Sequence, residues 1–161
     1  MTNSTMFQPL FIGTLFLTYS ISAYDPAVEQ QRLDDNEAKW DSYSGDGGYV
    51  MTLTNNCYCP PEWRGPFQVT VNSTGDAISA VYVEGSQADL LGTSASSNRL
   101  RGMITIDSAF DKIQQALDQD AYDLEVTYDM TAGYPTAISI DWDVMIADEE
   151  TNLRIENVTL V

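Results

Sequence analysis

Two cysteines stand one residue apart in the segment NNCYCPPEWRGPF, residues 55–67, and the chain has no others. Pro60 favours an extended Cys59 and cannot donate to a strand ladder, so the chain should bend here. A bend brings alternate Cα atoms closer than the ~6.5–7 Å of a flat strand, within reach of a disulfide. We predict a local disulfide between Cys57 and Cys59 in an oxidising compartment. Redox chemistry and copper(I) binding are the alternatives, although neither a C-x-x-C helix start nor a third ligand accompanies the pair.

Carboxylates are concentrated in the segment DWDVMIADEE, residues 141–150. Calcium takes oxygen ligands from irregular loops, although this spacing is not that of an EF-hand. Asp141 and Asp143 are predicted on one strand face at ~6.5–7 Å, a separation that suits an inverting glycosidase, but no deep sugar cleft is indicated. The simplest interpretation is a solvated hairpin tip, paired with Arg154. The candidate metal ligands are Asp141, Asp143, Asp148, Glu149 and Glu150.

The overall composition excludes several classes of function. The chain has no histidine, which removes Ser-His-Asp and Cys-His nucleophile systems and the commonest zinc and copper ligands. Its 24 acidic residues against seven basic ones give a net charge of -17, which disfavours nucleic acid and anionic membranes as partners. A cation or a basic protein fits better. We expect a non-catalytic binding or structural module; the alternatives are a carboxylate-dependent hydrolase and a calcium-dependent module.

The N-terminal segment resembles a secretory leader. Residues 1–24 carry no charged side chain, and the apolar run Leu10 to Leu17 precedes a small residue, Ala23. We predict a signal peptide over 1–23, one domain over 24–161, and a secreted or periplasmic destination. The alternative is a membrane anchor that remains uncleaved, although the apolar run is short for a span of ~20 residues. If the source is a eukaryote, Asn72 and Asn157 stand in N-x-S/T glycosylation patterns.

Hydrophobic periodicity predicts two main helices and six strands. Residues 26–42 and 106–117 have helical spacing, and alternating segments near 49–54, 67–71, 78–83, 124–128, 138–142 and 152–161 indicate strands. Residues 85–102 are predicted as a long surface loop. The fold class is α+β, an antiparallel sheet of five to six strands with helices on one face. The predicted buried residues are Trp40, Leu53, Val69, Val71, Ile78, Phe110, Ile113, Leu117, Val126, Ile138 and Ile140.

The chain is readily divided into two halves, each with one helix followed by three strands. The first strands even share a pattern, YVMTLT at 49–54 and YDLEVT at 122–127. Two copies are too few to establish a repeat, so chance similarity is the simpler explanation.

Three segments resemble the exported proteins grouped as domain of unknown function 6174. They are the CYC turn with the following FQVTV strand, the helix opening ITIDSAF at 104–110, and the sequence from Tyr128 to Glu150 that contains GYPT and IADEE. The resemblance implies a fold and export, and it implies no reaction, because no activity is established for the family. The family is often lipid-anchored, but no cysteine lies near the predicted cleavage site here.

Overall fold

Six strands and two main helices make up the domain. The computed structural model describes residues 24–146 and 149–161; the predicted signal peptide and Asp148 lie outside the described residues. The helices are α1 (Pro26–Ser44), a short α2 (Ser97–Leu100) and α3 (Ile106–Asp118), and a single 3-10 turn spans Pro61–Trp63. The strands are β1 (Tyr49–Asn55), β2 (Phe67–Val71), β3 (Ala77–Tyr82), β4 (Asp123–Tyr128), β5 (Pro135–Asp141) and β6 (Thr151–Leu160).

The strands form one antiparallel sheet in the order β3-β2-β1-β6-β5-β4. Consecutive strands within each half are neighbours, as short connections favour. The pairing of β1 with β6 joins the first half of the chain to the second. The predicted α+β class, with two main helices on an antiparallel sheet, is therefore confirmed.

The helix starts follow from local capping chemistry. The Asp25 carboxylate accepts from the backbone N–H of Ala27 and Val28, and Pro26 occupies the first helical position of α1. At α3 the N-cap is Thr105, whose hydroxyl accepts from the Ser108 N–H while the Ser108 hydroxyl accepts from the Thr105 N–H.

One hydrophobic core lies between the helices and one face of the sheet. Every second residue of β1 and β2 is buried, beginning with Tyr49 and Phe67, and α3 turns six side chains inward. Trp40 from α1 packs edge-on against Tyr49 and Tyr134. Ten of the eleven residues predicted as buried are in this core: Trp40, Leu53, Val69, Val71, Phe110, Ile113, Leu117, Val126, Ile138 and Ile140.

Ile78 is the exception, and its predicted burial is wrong. Its side chain is 56% exposed, whereas Ala80 and Tyr82 on the same strand are buried. The register of β2 with β3 shifts between Thr70 and Val71, so that β3 contains one extra residue at this point. A bulge of this kind interrupts the alternation of side chains and turns Ile78 to solvent.

The segment after β3 covers the edge of the sheet. Ser94 forms an isolated bridge with Val81, and the Ala95 N–H donates to the Ala80 carbonyl at 2.8 Å. The predicted loop 85–102 thus satisfies backbone groups of β3 that an edge strand would otherwise expose. It also contains α2, which the sequence did not indicate. Within the described residues, no helix is both long and apolar enough to cross a membrane.

Candidate functional site

The CYC segment forms a compact turn at the end of β1. The structure places Cys57 and Cys59 close enough for a disulfide, with their Cα atoms 5.1 Å apart. That separation is shorter than in a flat strand, as the predicted bend requires. β1 ends at Asn55, two residues before the first cysteine, so the pair lies outside the sheet.

Backbone and side-chain contacts fix this turn on both sides. The Arg64 Nε donates to the Cys59 carbonyl at 2.9 Å, and the Asn56 N–H donates to the Asn152 carbonyl at 2.8 Å. Between the two cysteines, the Tyr58 side chain is 86% exposed. The turn therefore exposes the Tyr58 ring to solvent, while hydrogen bonds on both sides hold its backbone in place.

The acidic segment after β5 is arranged differently from its sequence-based description. β5 ends at Asp141, so Asp143 lies in the following turn, where its carboxylate accepts from the Met145 N–H at 2.9 Å. Across the sheet, Asp141 is directly opposite Asp123 of β4. Like charges at that position repel each other. Arg154 pairs with Glu156 at 3.1 Å, and its predicted pairing with the tip is not among the described ion pairs.

The candidate calcium ligands are therefore only partly assembled. Asp141, Asp143, Glu149 and Glu150 are described, and Asp148 lies outside the described residues. Among residues 24–146 and 149–161, no group of three or more acidic, cysteine or histidine side chains is placed to hold a metal ion. One Glu149 carboxylate oxygen is buried and has no hydrogen-bond partner within residues 24–146 and 149–161. Calcium binding here stays a prediction, as does a hydrolytic role for Asp141 and Asp143.

The two glycosylation candidates lie in different surroundings. Asn72 begins the β2–β3 turn, and its side-chain Oδ1 accepts from the backbone N–H of Thr74 and of Asp76. Asn157 lies in β6 with a φ of 55°, beside a register shift between β1 and β6. Its amide nitrogen donates to the Thr52 hydroxyl at 3.3 Å, and its side chain is exposed. Asn157 is thus the more accessible of the two amides.

An arginine enclosed by aromatic rings was not foreseen as a site. The Arg99 guanidinium lies 5.0 Å from the centroid of the Trp63 ring and 6.0 Å from that of the Tyr82 ring. Its Nη1 donates to the Tyr82 hydroxyl, which in turn donates to the Glu62 carbonyl at 2.6 Å. Burial raises the pKa of Tyr82, and the nearby Arg99 charge opposes that rise.

A small cavity of about 40 Å³ adjoins this arginine. Arg99 and Trp63 line it together with Asn55 of β1, and apolar side chains including Leu53 and Phe67 complete the wall. The sequence indicated the CYC segment, which contains Trp63, and the surface loop 85–102, which contains Arg99, as separate features. No local signal connects them, because the loop brings them together only when it folds back along β3.

The face of the sheet opposite the helices is uncovered and polar. Two broad depressions lie on it, of about 480 and 410 Å³, and they share Thr127, Ala137 and Arg154. Glu125 lines the first and Glu156 the second. Glu29 and Arg32 of α1 also line the first depression, where they form an ion pair. Three glutamates and two arginines, Arg32 and Arg154, therefore line the two depressions.

The buried tyrosines serve the core. Burial raises the pKa of Tyr49 to about 12, and its hydroxyl accepts from the Ile106 N–H at 2.8 Å. Burial also raises the pKa of Tyr128, against the opposing charge of Arg32. Neither group is poised to lose a proton near neutral pH, so both act as neutral hydroxyls.

The fold defines a class: an α+β domain in which two main helices cover one face of a six-strand antiparallel sheet. Within that class, residues 32–160 match the model of the family of unknown function DUF6174, and the chain belongs to this family. No curated protein and no solved structure matches the chain. Membership therefore brings a fold and no assigned chemistry.

Proposed function

We propose that this chain is an exported, non-catalytic binding or structural module that uses its acidic surface to hold a basic protein. The observation that carries the proposal is the uncovered face of the sheet. Helices cover only one face, and two broad depressions lie on the other. Glu125 lines the first, which extends to Glu29 and Arg32 of α1, and Glu156 lines the second. An antiparallel sheet tolerates a solvated face, so the fold does not need a covering layer there and leaves the face available to a partner.

Charge favours a basic partner over other macromolecules. The net charge of -17 attracts cationic surfaces and repels phosphate backbones. Arg154 lines both depressions and Arg32 lines the first, but each is paired with a carboxylate, Arg154 with Glu156 and Arg32 with Glu29. Glu125 is therefore the lining carboxylate without a described ion-pair partner, and it would be the first to attract a cationic group.

Titration with a short lysine- and arginine-rich peptide tests this proposal. We expect saturable binding that weakens as salt is raised, since a Debye length of ~8 Å at physiological salt screens exposed charges. Replacing Glu125→Gln together with Glu156→Gln should weaken binding. A matched control removes the same charge away from the sheet, with Asp35→Asn on α1 and Asp46→Asn in the turn after it. Equal losses for both pairs would show nonspecific attraction and would overturn the role of the sheet face.

Calcium binding at the β5–β6 connection is a second candidate function. Two observations favour it: Asp141 opposes Asp123 across the sheet, and a buried Glu149 oxygen lacks a partner among the described residues. A divalent cation would relieve this repulsion and gain oxygen ligands. At 100 times its dissociation constant, calcium would stabilise the fold by ~2.7 kcal/mol.

Thermal unfolding separates calcium binding from charge screening. We expect calcium to raise the melting temperature more than magnesium or sodium at matched ionic strength. The change Asp141→Asn with Asp143→Asn should abolish that gain, whereas Asp34→Asn on α1 should leave it intact. Equal shifts with all three salts would mean that the acidic segment is only a solvated surface.

Export is part of the proposed function and has its own test. We expect the exported protein to begin at Tyr24, with Cys57 and Cys59 paired. Alkylation without reductant followed by intact-mass measurement reports both features. Two labelled thiols would refute the disulfide, and a mass that includes residues 1–23 would show a retained anchor.

A further inference from the structure

Arg99 has no counter-ion among the described residues, although the chain is strongly acidic. The ion pairs among the described residues are Arg32 with Glu29 and Arg154 with Glu156, and neither involves Arg99. Charged side chains that are partly buried are ordinarily paired, because removal from water is costly. The Trp63 and Tyr82 rings compensate part of that cost through cation–π contact, and the Tyr82 hydroxyl accepts one hydrogen bond, but neither residue supplies a negative charge.

The Arg99 guanidinium is hydrogen-bonded at Nη1, whereas its Nε has no acceptor among the described residues. Its Nη1 is occupied by the Tyr82 hydroxyl, which is itself fixed by the Glu62 carbonyl. Its Nε is buried and has no hydrogen-bond partner in the described part of the chain. The edge formed by Nε and Nη2 is the one that binds a carboxylate through two parallel hydrogen bonds. Arg99 is therefore oriented by contacts that leave its Nε without an acceptor among the described residues, at the wall of the adjoining cavity.

The cavity beside Arg99 has the size and lining for such a group. Its volume of about 40 Å³ exceeds the roughly 10–15 Å³ that one water requires on the same measure, and it is too small for a large ring. Leu53 and Phe67 supply apolar wall, and the Asn55 side chain adds a polar group. A carboxylate on a short aliphatic group matches this combination of charge, size and polarity.

We infer that Arg99, Trp63 and the adjoining cavity form a binding site for a small carboxylate. The carboxylate belongs either to a free short-chain acid or to the C-terminus of a peptide with a small last residue. The site lies where the loop 85–102 meets β1 and β2. It shares no lining residue with the two depressions on the sheet face proposed to bind a basic protein. Its failure would leave that proposal untouched, because the two use opposite charges and different residues.

Titration of the full chain with sodium propionate tests the inference, with sodium chloride and propionamide as controls. In a spectrum of the arginine side-chain N–H groups, the Arg99 Nε resonance should shift and saturate with propionate. Propionamide has the same shape without the charge and should leave that resonance unchanged. This measurement uses the unaltered protein, so it does not depend on a variant that folds. No shift, or equal shifts with chloride and propionate, would show that the cavity takes water or adventitious ions only, and would overturn the site.

Two variants identify the side chain responsible. Arg99→Lys keeps the charge but loses the planar fork, and we expect propionate binding to weaken about tenfold or more. Arg101→Lys is the matched control, because Arg101 lies in the same loop, is exposed, and is outside the lining of this cavity. Unchanged affinity in Arg99→Lys would exclude the guanidinium fork as the binding group.

Peptides distinguish the two sources of the carboxylate. A short peptide that ends in alanine with a free carboxylate is compared with the same peptide as an amide. Tighter binding of the acid peptide than of propionate, with no binding of the amide, assigns the site to a chain terminus. Binding of propionate alone assigns it to a free acid.

Discussion

The two halves of the chain contain the same elements in the same order, yet they use them differently. In the first half α1 precedes β1, β2 and β3, and in the second α3 precedes β4, β5 and β6. Helix α1 buries two of its 19 residues, Leu33 and Trp40. Helix α3 buries six of its 13. The second helix therefore anchors the core, while the first covers it with a mostly solvated surface.

Topology shows that the halves are not copies related by rotation. Along the sheet, β3, β2 and β1 are followed by β6, β5 and β4, so each strand lies three positions from its counterpart in the other half. The two counterparts run in opposite directions, because all neighbouring strands are antiparallel. A rotation that kept the order and reversed the strands would turn the sheet over. That would place α1 and α3 on opposite faces, whereas Gln30 of α1 and Gln114 of α3 are hydrogen-bonded to each other.

Matching positions in the two halves therefore have unlike surroundings. Tyr49 and Tyr122 both begin the shared strand pattern. Tyr49 lies in β1, near the centre of the sheet, and is 3% exposed, whereas Tyr122 precedes the edge strand β4 and is 40% exposed. Position in the sheet, rather than local sequence, decides which aromatic ring enters the core.

The largest expected effect comes from the helix that anchors the core. Phe110 of α3 is buried and stacks on Tyr128, with ring centroids 6.4 Å apart. We expect Phe110→Ala to lower the free energy of unfolding by ~3–5 kcal/mol, measured by chemical denaturation. Ile78→Ala at the exposed bulge is the control and should change it by less than ~0.5 kcal/mol. An unchanged midpoint for Phe110→Ala would remove this residue from the core.

An intermediate loss of stability should distinguish Tyr49 from Tyr122. The Tyr49 hydroxyl accepts from the Ile106 N–H, one of the backbone groups left without a partner at the start of α3. Tyr49→Phe leaves that buried N–H unsatisfied, so we expect a loss of ~1–3 kcal/mol. Tyr122→Phe makes the same chemical change at the matching position and should be close to neutral. Similar losses from both variants would contradict the assigned difference between the halves.

These comparisons also show what the sequence can and cannot predict. Periodicity was sufficient for the two main helices, the six strands and ten of the eleven predicted core residues, because burial on one face imposes a regular spacing on side chains. It failed at Ile78, where an extra residue in β3 reverses the alternation beyond it. The close approach of Cys57 and Cys59 was predictable because both lie in one short bend, and their pairing stays a prediction. The contact of Arg99 with Trp63 was not, since it depends on how a long loop closes.

The smallest expected effect concerns the acidic seam between the halves, formed by Asp34, Glu37 and Asp41 of α1 and Asp107 and Asp111 of α3. Burial raises the pKa of Glu37, and the charges of Asp41 and Asp111 add to the rise. Burial likewise raises the pKa of Asp107, opposed by a hydrogen bond from Trp40. The seam is thus a place where the two halves repel each other once their carboxyls ionise.

The sign of the pH dependence follows from these raised values. A carboxyl whose pKa is higher in the folded than in the unfolded chain holds its proton longer when folded, so its contribution is more favourable at low pH. That contribution is lost as the pH rises from the ordinary value near ~4 through the raised folded pKa. Both side chains are exposed, so solvent screening should keep the effect below ~0.5 kcal/mol.

Denaturant midpoints measured between acidic and neutral pH for the unaltered chain and for Glu37→Gln test the seam. The amide cannot ionise, so Glu37→Gln should flatten the decline in this window and be slightly more stable at neutral pH. Asp35→Asn is the matched control, because Asp35 is also on α1 but is not among the charges that raise the Glu37 pKa. If both variants keep the slope of the unaltered chain, ionisation of Glu37 does not oppose the contact between α1 and α3. If both flatten it equally, the repulsion belongs to the net charge of -17 as a whole rather than to the seam.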